Sequence, residues 1–446
     1  GAAPHTPRSI WAKMKGEFAG RGHGHRRAAG HIGTMTEAPP FDCDVVIAGG
    51  GLNGTALALA LASGGHEVVL VDPLAAETRA DPGFDGRAYA LALASVRLLA
   101  ALGLWGRVAD RAQPILGIRT ADGRPGEAPS PLFLGFDDGE IDDGPMGQMV
   151  EDRVLRPALL AAVAEAPRIV HRAGVAVTGH APGPGGVTLA LSDGGALRAQ
   201  LLVAADGRDS ALARAAGIGR VGHGYGQTAL VAAVSHERPH GGIAHQLFLP
   251  AGPLAILPLP GNRASIVWSE RDAIARALAA ADDATFLAAL RPRFGGFLGE
   301  IALAGGRFAY PLRLSLAERM VAPRLALAGD AAHGVHPVAG QGLNLGLRDV
   351  AALAEVLTEA RRRGEDIGAP DVLAGYERWR RADNVAMGLG MDAVTRLFSN
   401  DNPLARLGRD LGLGAVARLP GLRRRIIAEA AGLTGELPRL MAGRPL

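Results

Sequence analysis

Beyond Lys15 the chain contains no lysine; Lys13 and Lys15 are the only two among its 446 residues. From residue 36 onward there is therefore no P-loop lysine, no Schiff-base lysine and no lysine general base. Chemistry in that region falls to arginine, histidine, carboxylates, hydroxyls or a bound cofactor. Cysteine is scarcer still. Cys43 is the only one, which excludes an intrachain disulfide and fits a reducing cytoplasm. It stands just ahead of the first predicted strand and reads as a small packing residue. No apolar run approaches the roughly 18 to 20 residues needed to cross a bilayer.

The hydrophobic share is 48% and the charged share 20%, the range of a folded chain, and the length predicts two or three domains rather than one core. The formal charge of +3 is unevenly spread. Residues 1–35 carry Arg8, Lys13, Lys15, Arg21, Arg26 and Arg27 against Glu17 alone. Removing those from the chain's 47 basic and 44 acidic residues leaves 41 against 43, a net of −2. A near-neutral body argues against nucleic acid as a partner. The basic stretch is rich in Gly, His and Arg and lacks both a periodic apolar face and the apolar core of a secretory signal. It reads as a disordered extension ahead of a start at Met35, with a mitochondrial-type presequence as the alternative.

Asp44-Val-Val-Ile-Ala48 predicts a buried strand running straight into glycines. The apolar run Ala56 to Ala62 predicts a helix, stopped at Ser63-Gly64-Gly65. Glu67 to Val71 predicts a second strand, ending at Asp72. This βαβ opening predicts a doubly wound parallel sheet. Further on the pattern predicts helix over 93–111, loops and short strands over 113–146, helix over 153–165 and a meander over 168–204. Strands over 227–269, helix over 271–292, a strand over 324–328 and largely helix from 348 to the end complete it.

The strongest local signal is Gly49-Gly50-Gly51-Leu52-Asn53-Gly54, a G-x-G-x-x-G between strand and helix. Gly49 permits the tight turn, Gly51 lets backbone approach a pyrophosphate, and Gly54 lets the helix pack closely. The unpaired N–H groups of the helix start, at Leu52 and Asn53, then face the anion. Asp72 is placed to bond a ribose diol. Alone this does not separate NAD from FAD. Two later stations do. Leu201-Leu-Val-Ala-Ala-Asp206-Gly207 is a strand ending in Asp-Gly, with Ser210 and Arg214 beyond it. Arg324-Leu-Ala-Leu-Ala-Gly329-Asp330 is a strand delivering a carboxylate suited to ribityl hydroxyls. After it come His333, His336, Pro337, Gly340, Gln341, Gly342, Leu343 and Asn344, a loop and helix start offering N–H groups to the flavin carbonyl at C2, where charge builds up on reduction.

Three such stations at these separations resemble the para-hydroxybenzoate hydroxylase type of flavoprotein monooxygenase, over about residues 42–445. Asp85-Gly86-Arg87-Ala-Tyr89 matches the segment where that group places an arginine near the cofactor, which carries over to Arg87. Glu151-Asp152-Arg153-Val-Leu155 resembles a flavin-contacting helix start and carries over Arg153. The run Gly329 to Gly346, with Ala309-Tyr310-Pro311-Leu312 before it and Asp392 to Asp401 after it, is similar to the ubiquinone-biosynthesis hydroxylases. Asp72 departs from the glutamate common in flavoproteins, yet still reaches a ribose. The four tryptophans lack the close pair of flavin halogenases. His333 and His336 have no further ligand cluster and structure the loop rather than bind metal.

The resemblance implies an α/β fold: a Rossmann-like FAD-binding domain, an inserted antiparallel-sheet substrate domain and a helical C-terminal segment. The expected layout is an extension over 1–35, FAD-binding pieces at 41–112, 147–220 and 315–360, substrate-domain pieces at 113–146 and 221–314, and a C-terminal region over 361–446. It implies that NAD(P)H or another donor reduces FAD, that O2 then forms a flavin C4a-hydroperoxide, and that its terminal oxygen passes to the ring of a prenylated phenol. No second dinucleotide motif exists, so NAD(P)H would bind transiently. A soluble aromatic or natural-product substrate, or a non-catalytic flavin scaffold in a biosynthetic complex, stays open. The expected location is cytoplasmic, with a peripheral contact at the inner membrane. Arginines at 406, 409, 418, 423, 424, 425, 439 and 444, beside Leu404, Leu407, Leu411 and then Leu422, Ile426, Ala430 at helical spacing, predict a membrane- or partner-facing element; a helix packed on the body is the alternative.

Overall fold

The computed structural model describes residues 41–80, 83, 86–127, 134–140, 144–337, 340–398 and 419–446. The extension over 1–35 and the stripe Leu404, Leu407, Leu411 lie outside them.

Strand Cys43–Ala48 forms the middle of the first sheet. Val68–Asp72 pairs with it in parallel on one side, with Val45 opposite Val68, and Ile169–Ala173 lies beyond. On the other side come Ala196–Ala204 and then Leu325–Leu327, again parallel. In the central strands Cys43–Ala48 and Val68–Asp72, and in Leu201–Ala204 and Leu325–Leu327, the Val, Ile, Leu and Ala side chains are buried on both faces, as a sheet covered on both sides requires. Helix Leu52–Ser63 packs against Asp152–Glu165 and Gln341–Arg362. The meander strands Val177–Pro182 and Val187–Leu191 extend the sheet antiparallel beside Ala196–Ala204.

The second sheet has nine strands, centred on Arg220–His236, Arg263–Arg271 and Gly252–Leu259. Its pairing is antiparallel except where Ile243–Leu249 runs parallel to Gly117–Asp122. The alternation of side chains sorts two faces. Leu230, Ile256, Ile266 and Trp268 pack on helices Asp272–Ala280 and Asp283–Phe294. Ala229, Val231, Ala255, Leu257 and Val267 face a cavity. A small antiparallel sheet of Ala88–Ala92, Gly147–Glu151 and Gln113–Ile115 stands beside that cavity. The fold is thus a mixed α/β one with a parallel sheet, a large antiparallel sheet and a helical C-terminal segment.

Three predicted elements differ. The helix from 93 stops at Ala101, because Gly103 takes φ +71°, and two short 3-10 turns follow at Trp105–Arg107 and Ala109–Arg111. The helix over 271–292 is two, because Asp282 starts the second by accepting a hydrogen bond from Thr285 N–H at 2.7 Å. Helix does not continue to the end. After Pro420–Ala430 the chain runs in turns that bury Leu440 and Met441.

Candidate active site

The glycine turn closes on itself. Gly49 sits at φ +114°, and a Cβ there would meet the Ala205 carbonyl oxygen at 2.3 Å. A Cβ on Gly54 would meet the Gly49 carbonyl oxygen at 1.8 Å, so strand and helix can approach only with hydrogen at both. Gly51, the N-cap of helix Leu52–Ser63, is the opposite case: nothing lies within 4 Å of its Cβ position, and no side chain caps the helix. Leu52 is a core residue, so only its backbone is available to a ligand. The Asn53 amide is wedged under the third station; a Cβ on Gly329 or Gly346 would strike it at 2.3 or 2.4 Å. Its Oδ1 is buried without a partner.

Asp72 is buried at its strand end and already engaged. Leu74 N–H donates to Oδ1 at 2.8 Å, and Arg79 reaches Oδ2 with Nε at 3.1 Å and Oδ1 with a terminal nitrogen at 3.2 Å. Any ribose hydroxyl bonded there would share the carboxylate with Arg79.

Asp206 caps a helix. Its Oδ2 accepts from Ala211 N–H at 3.0 Å, beside the Ser210 cap on Ala213 N–H. With Gly207 at φ +87° this turns the chain so that Arg208 faces the cavity, 3.5 Å from Asp330. Arg208 had no motif of its own in the sequence. Asp330 is 42% exposed and lines the cavity, while Arg220 fixes the backbone beneath it by donating to the Ala331 carbonyl at 2.6 Å. Gly340 takes φ +65° against Ala90, and Gly342 opens on empty space. Pro337 and Leu343 line the cavity.

Asn344 lines the cavity, and its side chain is also engaged in the fold. Its Oδ1 accepts from Ala92 N–H at 2.9 Å and Ser95 Oγ at 2.8 Å, and its Nδ2 donates to the Ala90 carbonyl at 2.8 Å. The whole side chain fastens the helix start to the small sheet. Arg87 lines the cavity, 3.4 Å from Asp152. Tyr89 donates to the same carboxylate at 2.7 Å; burial, then Asp152, push its hydroxyl well above the usual range. Arg153 turns to Glu151 at 2.7 Å and is not among the cavity-lining residues. His333 meets Asp349 at 2.6 Å, and His336 lies edge-on to Tyr225 with burial pushing it down to about 4. Among the described residues no group of three His, Cys, Asp or Glu is placed to hold a metal.

The cavity itself measures about 470 Å³. It runs from Asp330, Arg208 and the Gly340–Leu343 turn to the apolar face of the large sheet. Met146 and Ala430, which no motif marked, also line it. Two uncapped helix starts with open glycine positions, and a half-exposed carboxylate at the cavity, fit a diphosphate, a polyhydroxyl chain and a planar ring on one ligand. That ligand is FAD.

Fold and site define an FAD-dependent aromatic-ring monooxygenase. Residues 42–387 match the family described as FAD binding domain. A ubiquinone hydroxylase, UbiL, of Rhodospirillum rubrum is 50% identical over 417 residues, covering 93% of this chain and 96% of that protein. The 3-demethoxyubiquinol 3-hydroxylase of Escherichia coli is 38% identical over 402 residues, covering 90% of this chain and all 100% of its own length. The crystal structure of p-nitrophenol 4-monooxygenase from Pseudomonas putida shares the fold, with a TM-score of 0.74 at 20% identity over 88% of this chain and 98% of that one. The chain belongs to the ubiquinone-biosynthesis hydroxylase family of FAD-dependent monooxygenases.

Proposed function

We propose that this protein hydroxylates the ring of a prenylated phenol in ubiquinone biosynthesis, with O2 as co-substrate and NAD(P)H or another donor as reductant. In this reading the Gly49–Gly54 turn and the start of helix Leu52–Ser63 hold the pyrophosphate, with Asp72 beside the ribose. Asp330 holds the ribityl chain, and the Gly340–Leu343 turn faces the flavin ring. Bound FAD supplies the oxidising chemistry drawn from O2. The residues of the chain orient the phenol ring and exclude water.

The observation that carries the substrate class is the cavity wall. Ala229, Val231, Ala255, Leu257 and Val267 make the sheet face largely apolar; its polar residues at the cavity are Thr120, His245, Gln246 and Tyr310, and it offers no arginine to hold a substrate carboxylate. The arginines that line the cavity, Arg87 and Arg208, stand beside Asp152 and Asp330. A carboxylate buried on that wall without a charged partner costs several kcal/mol, whereas a neutral ring with an apolar tail buries mostly apolar surface there. Aromatic acids fit this cavity poorly.

No helix of the described residues is long and apolar enough to cross a membrane. A lipid-borne substrate therefore calls for a peripheral contact, and the exposed Leu419 and Leu422 beside Arg424 and Arg425 supply one. The test is complementation of mutants blocked at each ring hydroxylation, with identification of the quinone intermediate that disappears. Rescue of none, together with no substrate-stimulated oxidation of reductant, would leave the flavin-scaffold reading.

A further inference from the structure

A cavity of about 470 Å³ has the size of a site for one drug-sized ligand. The flavin ring and a phenol ring occupy it between them, so a long prenyl tail must leave it. The apolar lining continues into several neighbouring clusters, and one of these continuations leads towards the last helix. Ile118 and Met146 line the cavity and also belong to, or pack on, a separate apolar cluster of Leu134, Phe136, Phe248, Phe398 and Ile427. That cluster lies under the last helix, Pro420–Ala430.

Helix Pro420–Ala430 spans from the cavity to the surface. Ala430 lines the cavity, and its carbonyl accepts from Gln341, a residue of the proposed flavin-facing turn. Four residues earlier Ile426 is partly buried on the apolar cluster. Four residues earlier again, Leu422 is 41% exposed, with Leu419 at 53% one turn before it. Spacing by four aligns these side chains in one stripe about 12 Å long. Ile427 is the helix's only buried residue, so its apolar side is not consumed by the core. The helix is held instead by Arg423, which pairs with Glu140 at 2.5 Å and lies over the Phe136 ring at 5.3 Å.

We infer that the stripe Ala430, Ile426, Leu422 is the track along which the prenyl tail passes from the cavity to the surface, so that the last helix sets the preference for tailed over tailless substrates. The inference rests on the hydroxylase reading. Each isoprene unit laid along the stripe buries apolar carbon, and a polar side chain in its path is left without a partner when the tail covers it.

The test is Ile426→Gln and, separately, Leu422→Gln in the FAD-loaded protein, assayed with a tailless phenol and a matched phenol bearing a long prenyl tail in the same detergent. The expected result is that the ratio of kcat/KM for the tailed over the tailless phenol falls about tenfold in Ile426→Gln, and less in Leu422→Gln. FAD content stays as in wild type. An unchanged ratio in both variants, with FAD retained, overturns the track. Leu422 is exposed enough that its variant folds even where Ile426→Gln does not. Should no phenol be turned over, the hydroxylase reading fails, and binding of the tailed phenol is read from the flavin absorbance change instead. Equal affinity in wild type and both variants then overturns the track independently.

Discussion

The backbone N–H of Gly329 donates to Oδ2 of Asp349 at 3.1 Å, tying the turn after strand Leu325–Leu327 to a carboxylate with no solvent exposure. The same oxygen meets His333 at 2.6 Å, and Oδ1 accepts from Arg380 at 2.9 Å and Asn384 at 3.2 Å. Burial opposes the charge, but His333 and Arg380 outweigh it and hold the carboxyl below its usual range. Asp349→Asn should therefore remove Arg380's buried countercharge, leaving only the half-exposed Asp383, and loosen the Gly329 turn together, costing about 3 kcal/mol or more in denaturant unfolding. Asp383→Asn, which removes Arg380's half-exposed second partner, should cost less than about 1 kcal/mol. Equal losses would show that Asp349 is not the hub.

The glycines make a paired prediction. Gly51→Ala points a methyl into open space, so the apoprotein should melt as wild type does while FAD affinity falls about tenfold. Gly54→Ala drives a methyl into the Gly49 carbonyl and should destabilise the apoprotein by about 1–3 kcal/mol. If Gly51→Ala binds FAD as tightly as wild type, the pyrophosphate does not lie there.

The two carboxylates assigned to the cofactor should also separate. Asp330 is half exposed and pairs only loosely with Arg208, so Asp330→Ala should cost ten- to a hundredfold in FAD affinity, about 1.5–3 kcal/mol, with little loss of apoprotein stability. Asp72→Ala strands Arg79 and the Leu74 N–H, so it should lower stability as well as affinity. Titration of FAD into each apoprotein beside its thermal melt measures both. Unaltered FAD affinity in Asp330→Ala removes the ribityl assignment.

What the sequence made legible was local. The βαβ opening could be read because apolar strands, glycines and Asp72 lie within one short segment, and the Gly329–Asn344 loop because its motif is contiguous. Asp349 could not be read: one aspartate in a helix looks solvent-facing until the strand end, His333 and Arg380 close on it. Arg208 was hidden in the same way, since only the Asp206 cap and the Gly207 turn aim it at the cavity. The parallel pairing of Gly117–Asp122 with Ile243–Leu249 joins segments more than a hundred residues apart, and no periodicity within either announces it. Asn344 and Asp206 were found by motif, and the hydrogen bonds by which their side chains also fasten the fold were not legible there.

Acid should weaken the fold in a defined window. Burial pushes His66, His245 and His336 down to about 4, with Arg361 adding to the effect at His66 and Arg119 at His245, and Asp392 opposing it at His336. Above the ordinary value of 6.5 both folded and unfolded chains hold these rings neutral. As pH falls from there towards 4 the unfolded chain takes up protons that the folded one refuses, so stability drops by up to about 3 kcal/mol per ring. Carboxylates held low, such as Asp152 and Asp349, add their losses only below about pH 4. Denaturant midpoints that stay level between about pH 7 and about pH 5 would refute the neutral-histidine account.

The C-terminal arginines divide by what they touch. Arg423 is committed to Glu140 and Phe136, so Arg423→Glu sets like charges together and should loosen the last helix, lowering the melting temperature. Arg424 and Arg425 are exposed, and the exposed Leu419 and Leu422 stand in the same helix end. Near an anionic bilayer each basic residue contributes about 1 kcal/mol. Reversing both arginines to Glu should then weaken binding to anionic liposomes by tenfold or more at low salt, with FAD content intact and the melt unchanged. Raising the salt should weaken wild-type binding towards that of the variant, because exposed charges are screened within about a Debye length. Sedimentation with anionic and neutral liposomes measures both effects. Binding that responds neither to the double reversal nor to salt would mean that these arginines only solvate the helix, and that the lipid contact lies elsewhere on the protein.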